Sequence, residues 1–207
     1  TMAAWMAMKL VKEAGIPLNK RVRLIIGTDE ESGFRCVERY FEKEEMPHIG
    51  FAPDADFPII TAEKGIAILR FTTTKLVEDE QLHSFQAGTR TNMVPDLATA
   101  VVQLKHDTLE NDFEQFKKEH NLQGSVAFEH DVVVLTLEGK SAHAMEPNEG
   151  VNAGVYLAEF LKGIVTTSGS KTFVDFVSSS FLNDSRGHAF ALNYQDEMSG
   201  DTTLNAG

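Results

Sequence analysis

"RLIIGTDEESG" spans Arg23 to Gly33: an apolar run stops at Gly27, and after Thr28 come three carboxylates in a row, Asp29, Glu30 and Glu31. An uninterrupted apolar run of this kind, Val22 to Ile26, reads as a strand buried on both faces. Upstream, "TMAAWMAMKLVKEAG" has Trp5, Met8 and Val11 or Lys12 at helical spacing and Gly15 as a stop, which predicts a helix covered on more than one side. Downstream, Gly33 to Glu45 reads as a second helix with Phe34, Val37 and Tyr40 or Phe41 on one face. Ile49 to Phe51 then reads as a short strand that runs into another acidic loop, "APDADFP". The alternation of helix and strand predicts a parallel sheet with helices on its faces, hence an α/β fold for this part. Both acidic loops would leave the carboxyl ends of its strands, where open α/β sheets bind ligands.

The pattern changes after Glu63. "GIAILRFTTTKL", "LATAVVQL" and "HDVVVLTLEG" read as strands, "ENDFEQFKKEHNL" as an amphipathic helix and "EGVNAGVYLAEFLKGI" as another helix. A β-β-α-β-α order predicts a small α+β domain with helices on one face of an antiparallel sheet. Two domains are expected, 1–63 and 64–207. The Ser-rich stretch after Thr166 is read as the start of a further unit. Both ends of the chain read as cut from something larger.

Composition narrows the function. The 207 residues carry a net charge of −12, are 42% hydrophobic and 24% charged, as an ordinary globular protein is. The negative charge argues against a nucleic-acid backbone or an anionic membrane as partner. Cys36 is the one cysteine, which excludes an internal disulfide and a Cys-rich zinc module and fits a reducing, cytoplasmic compartment. In "FRCVERYF" it reads as a small buried helix residue. No apolar run approaches the roughly 18 residues of a membrane span, and no secretion signal opens the chain.

Successive side chains of an extended segment point to opposite sides, so Glu30 and Glu31 should not share a task. One can face a metal while the other faces a water bound to it, and Asp54, at the end of the next predicted strand, could supply a second ligand. The competing reading is that the acidic cluster caps the following helix, where negative charge meets the helix dipole. "EGKSAH" is not a phosphate-binding loop, since Val134 stands where that motif needs a glycine. Neither GxGxxG nor HExxH occurs. His48, His83, His106, His120, His130 and His188 read as solvated surface or loop residues. His143, in "GKSAHAMEP", follows a strand among small residues that leave room around it, and is open to either a functional or a solvated role.

"GTDEESG", "APDADFPIITAEKG", "GTRTNMVPD" and "GKSAHAMEPNEGVNA", in that order, together resemble the co-catalytic zinc metallopeptidases, the family of carboxypeptidase G, aminoacylases and dipeptidases. Within it the likeness is nearest to the monomeric bacterial aminodipeptidases of the Xaa-His dipeptidase or carnosinase kind. The resemblance implies a partial parallel-sheet catalytic domain followed by an α+β lid. It implies that Glu30 is the general base for a metal-bridging water, that Glu31 binds one zinc and Asp54 the other, and that manganese or cobalt can substitute. It further implies that Asn92 in the lid contacts substrate and that His143 contacts substrate and steadies the oxyanion.

The family's other ligands lie in His-x-Asp and Asp-Asp-Lys-Gly-Pro motifs and in a late histidine, and its substrate-binding arginine comes late in the lid. This chain contains neither His-x-Asp nor Asp-Asp-Lys-Gly. The expectation is therefore an internal fragment of a monomeric zinc dipeptidase with an extended lid. The fragment would be inactive alone, and the intact parent would cleave dipeptides or short peptides with a free amino terminus. An aminoacylase or deacetylase of the same family is the first alternative, and a non-catalytic peptide-binding module the second. Retention of Glu30 speaks against the module.

Overall fold

Strict alternation in two stretches builds the sheet. In Leu97–Val102 (β2) the buried residues are Ala98, Ala100 and Val102, and in Val132–Glu138 (β4) they are Val133, Leu135 and Leu137. The two strands run antiparallel in a register that sets Ala98 opposite Leu137, Ala100 opposite Leu135 and Val102 opposite Val133. All six side chains therefore share one face, and small residues alternate with large ones across it. Leu82–Ala87 (β1) adds to the far side of β2, and Gln123–Glu129 (β3) to the far side of β4, giving the order β1-β2-β4-β3. These are details of a computed structural model that describes residues 1–30, 33–54, 58–72 and 81–207. The chain divides into two units, Thr1–Ile59 and Ile60–Gly207, and the sheet belongs to the second.

Helices cover the inner face of that sheet. Leu109–His120 (α3) buries Leu109, Phe113 and Lys117, spaced four residues apart on one side. Acidic Glu110 and Asp112 stand in its first turn and Lys117, Lys118 and His120 in its last, each matching the helix dipole. The helix stops where Asn121 turns left-handed at φ 53°. Ala153–Lys162 (α4) is apolar over most of its surface and packs on the sheet; its Phe160 meets Phe113 at 4.8 Å and Phe116 at 5.3 Å between ring centroids. Lys117 reaches the core edge by giving its ammonium hydrogens to Glu114 and to the Gly124 carbonyl, at 2.7 and 2.6 Å.

The Ser-rich stretch is not the start of a further unit. It forms Ser168–Phe181 (α5), which packs against α4 and puts Val174 into the same core. Ser170 and Ser178 of this helix are buried with partners: Ser170 accepts the Leu82 N–H at 2.9 Å, and Ser178 bonds Glu159. A small hairpin, Gln195–Asp196 (β5) with Gly200–Asp201 (β6), follows.

The first unit departs from the sequence reading. Its regular elements among the described residues are Met2–Glu13 (α1) and Arg35–Phe41 (α2). No residue of α1 is buried, against the expected cover on several sides. The predicted strand Val22 to Ile26 is irregular and largely exposed, as is Ile49 to Phe51, whose Ile49 and Phe51 are 86% and 88% exposed. No parallel pairing occurs among the described residues, so the parallel sheet expected in the first unit is not found among them, whereas the antiparallel sheet expected after Glu63 is present in the second. The physical reason is that a strand exists only where a neighbour completes its backbone hydrogen bonds. Here the described residues of the first unit supply no such neighbour. Residues 65–72 of the predicted strand "GIAILRFTTTKL" are likewise irregular, and its remainder, 73–76, lies outside the described residues.

Candidate active site

The opening carboxylates separate into different situations. Asp29 caps α2: its side chain accepts the backbone N–H of Arg35 at 3.1 Å and of Cys36 at 2.9 Å, and the Arg35 Nε at 3.0 Å. Hydrogen bonds from the Cys36 side chain and backbone, then from Arg35, lower its pKa to about 2. The capping account thus applies to the first of the three. Cys36 is half-buried on α2. Glu30 is exposed and has no hydrogen bond or ion pair among the described residues, and Asp54 is also exposed. Glu31, the expected ligand, lies outside the described residues.

Among the described residues no three His, Cys, Asp or Glu side chains come together to hold a metal. Glu30 and Asp54, as described, are an incomplete donor set for the tetrahedral zinc that needs three or four protein ligands.

In the second unit two expected site residues, far apart in sequence, come together. An isolated antiparallel bridge pairs Met93 with His143. The Val94 N–H donates to the Ala142 carbonyl at 2.8 Å and the Ala144 N–H to the Asn92 carbonyl at 2.9 Å. Met93 and His143 are therefore a non-hydrogen-bonded pair, the kind that brings side chains closest. Asn92 sits one residue from this pair.

The His143 ring accepts a hydrogen bond from its own turn. The Met145 N–H donates to His143 Nδ1 at 3.1 Å, and the Glu146 N–H returns to the His143 carbonyl at 3.0 Å. A ring nitrogen that accepts carries no proton, so the neutral imidazole bears its hydrogen on Nε2. Nε2 has no hydrogen-bond partner among the described residues, and the side chain is exposed. The arrangement can offer one N–H to an incoming oxygen.

The stretch after this turn is locked at its far end. Lys140 and Val151 exchange both backbone hydrogen bonds, at 2.9 and 2.8 Å. Asn152 caps α4 by accepting the Val155 N–H at 3.1 Å and gives its own amide to the Ala206 carbonyl at 2.7 Å. A cleft of about 270 Å³ opens beside this loop, walled by Val94, Asn148, Asn152, Phe181, Asp184 and Leu204 among others. Asn92 and His143 do not line it.

Sequence reasoning passed over the loop 184–190. The Asp184 carboxylate accepts backbone N–H groups of Arg186, Gly187 and Ala189 at 3.2, 2.9 and 2.8 Å and faces His188 Nδ1 at 3.0 Å. Desolvation pushes its pKa up, but bonds from the Ala189 backbone, from His188 and from Arg186 outweigh it and hold the carboxyl below its usual range. The legible signal was "NDSRG", an aspartate followed three residues later by glycine, the pattern of an Asx-type turn. Three histidines read as solvated also have partners. His188 faces Asp184, His106 meets Asp112 at 2.7 Å, and His120 packs at a tilt against Phe116 and Tyr156 with centroids at 4.5 and 5.2 Å.

Comparison with known proteins adds a second line. No family model matches the chain. Over its whole length it is 47% identical to a Bacillus subtilis (strain 168) protein named "Putative dipeptidase YtjP". It is 42% and 41% identical, again over its whole length, to Staphylococcus aureus proteins of strains MRSA252 and USA300 that also bear the name "Putative dipeptidase". The chain spans about half the length of the curated relatives it matches, 46% in each case. Among the described residues no helix is long and apolar enough to cross a membrane.

Proposed function

We propose that the chain is part of a zinc-dependent dipeptidase, hydrolysing the peptide bond of short peptides with a free amino terminus. The observation that carries this reading is the His143 imidazole. Its Nδ1 is occupied by the Met145 N–H, its Nε2–H has no partner among the described residues, and it stands across an isolated backbone bridge from Met93, next to Asn92. A fixed donor of this kind suits an oxygen that becomes negative during attack on a carbonyl. Similarity over the whole of this chain to about half of proteins named as putative dipeptidases supports the same reading.

In this proposal Glu30 takes the proton of the attacking water, Asn92 contacts substrate, and His143 donates to the oxyanion. Zinc would supply Lewis acidity and an activated water in the complete site, with Glu31 and Asp54 as the ligands this chain contributes. The described donor set is incomplete, so the 207-residue chain is expected to bind zinc weakly and to turn over no dipeptide. Part 64–207 would serve as the lid of a monomeric enzyme.

The test separates the two glutamates in the longer protein. Glu30→Gln should keep its metal and lose turnover, because an amide accepts no proton from water. Glu31→Gln should lose metal as well, because a neutral amide is the poorer ligand. Metal content and dipeptide kinetics on both variants decide it, and the reverse pattern overturns the assignment. Tight zinc binding or dipeptide turnover by the 207-residue chain refutes the incomplete-site reading.

A further inference from the structure

We infer that Arg186 is a positioning residue for His143, holding the turn that fixes the imidazole against the β5–β6 hairpin. The inference rests on the proposed dipeptidase role for its kinetic consequence, though not for its geometry. The Met145 N–H bonds the His143 ring and the Glu146 N–H bonds the His143 carbonyl, so Glu146 belongs to the same hydrogen-bonded turn that orients the ring. The Glu146 carboxylate faces Arg186 Nη2 at 3.6 Å, and the Asp201 carboxylate faces Nε of the same guanidinium at 3.8 Å. One cation thus ties the His143 turn to β6.

The arginine itself stands on a prepared support. Asp184 accepts its backbone N–H at 3.2 Å together with those of Gly187 and Ala189. The Ser185 carbonyl accepts the Leu204 N–H at 2.8 Å, and the Ser185 hydroxyl bonds Asn148. Residues 185 and 186 therefore grip the segment Glu146 to Asn148 twice, once by a hydroxyl and once by a charge. The Arg186 side chain is 25% exposed, whereas Glu146 is 48% exposed, and a pair this open contributes little to global stability. Its consequence should therefore be read in the geometry of the turn.

Direct contact of Arg186 with a substrate carboxylate is the competing role. The surroundings disfavour it, because Glu146 and Asp201 already flank the guanidinium and would repel a third carboxylate.

The experiment uses the longer protein carrying Arg186→Met, Arg186→Lys, Glu146→Gln and the Arg186→Met/Glu146→Gln pair, with His143→Ala as reference. Steady-state dipeptide kinetics are measured, together with the ¹H–¹⁵N signature of the His143 ring. Arg186→Met and Glu146→Gln should each lower kcat about tenfold, the scale of a slightly misplaced group, with KM within about twofold. Both should move the ring signature away from the Nε2–H form, the double variant should lose no more than either single one, and Arg186→Lys should recover part of the loss. A raised KM with unchanged kcat would mean direct substrate contact and overturn the inference. An unchanged ring signature in Arg186→Met overturns it too. Failure of the function is distinguishable: His143→Ala would then leave kcat unchanged, while the ring signature still decides the role of Arg186.

Discussion

Replacing Gly150 by alanine isolates the packing that holds the His143 loop. The backbone there is extended, φ −99° and ψ 176°, a conformation open to any residue, so the outcome depends on space alone. A Cβ would stand 2.8 Å from the Lys140 carbonyl oxygen, 2.9 Å from Val94 Cγ1 and 3.0 Å from Ala142 Cβ. Comfortable separations are about 3.5–4.0 Å, so the methyl is crowded from three directions. Retreat is restricted, because the Lys140 carbonyl accepts the Val151 N–H at 2.8 Å and Val94 donates to Ala142 at 2.8 Å. Overpacking of this kind costs about 1–3 kcal/mol, which for a chain of this size corresponds to a Tm lower by roughly 2–12 °C. Gly163→Ala provides the opposite case. Its backbone is helical, φ −78° and ψ −10°, and the nearest atom to an added Cβ is the Phe160 oxygen at 3.9 Å. Alanine fits there and restricts the unfolded chain, a gain of about 0.4–1 kcal/mol. Thermal unfolding followed by circular dichroism should show Gly150→Ala below wild type and Gly163→Ala at or above it. A Gly150→Ala protein as stable as wild type would refute the argument from crowding.

Three more outcomes follow from the same structure. In the longer protein, His143→Ala should lower kcat roughly 10²–10³-fold, as loss of one oxyanion donor does, with metal content and Tm nearly unchanged; kinetics within a few-fold of wild type would return His143 to a solvated role. Asp184 is depressed in the folded state, so the stability it contributes is complete above the unfolded-chain value of about 3.9 and is lost as pH falls toward the folded value. Tm measured from pH 5 to pH 3 should therefore fall more steeply for wild type than for Asp184→Asn, and parallel curves would refute the linkage. Phe113 is fully buried against Phe160, so Phe113→Ala should cost about 3–5 kcal/mol in denaturant unfolding, whereas a loss below about 1 kcal/mol would mean the core closes over the gap.

What the sequence by itself determined is what local pattern can carry. Alternation in Leu97–Val102 and Val132–Glu138 and the apolar spacing of Leu109–His120 and Ala153–Lys162 identify strands and helices that bury one face, and the antiparallel α+β unit follows from them. β1 and β3 escaped because an edge strand needs little apolar patterning: "LHSFQA" alternates irregularly, with a shift between Leu82 and Ser84, and "QGSVAFE" leaves Phe128 exposed. Val22 to Ile26 and Ile49 to Phe51 failed in the opposite sense, since apolar character marks a segment fit for burial while only a neighbouring strand makes it a strand. At the site, residue type singled out Glu30, Glu31, Asp54 and His143 as groups capable of chemistry. Only tertiary structure gave Asp29 to the N–H groups of α2, set the His143 turn beside the Asn92 turn, and brought Arg186 to both Glu146 and Asp201. A hydrogen bond is decided within about 3 Å, and the partners that meet at that distance here are drawn from segments far apart along the chain, as the Asn92 carbonyl and the Ala144 N–H are. No spacing along a chain encodes such a meeting; the sheet that carries both loops does.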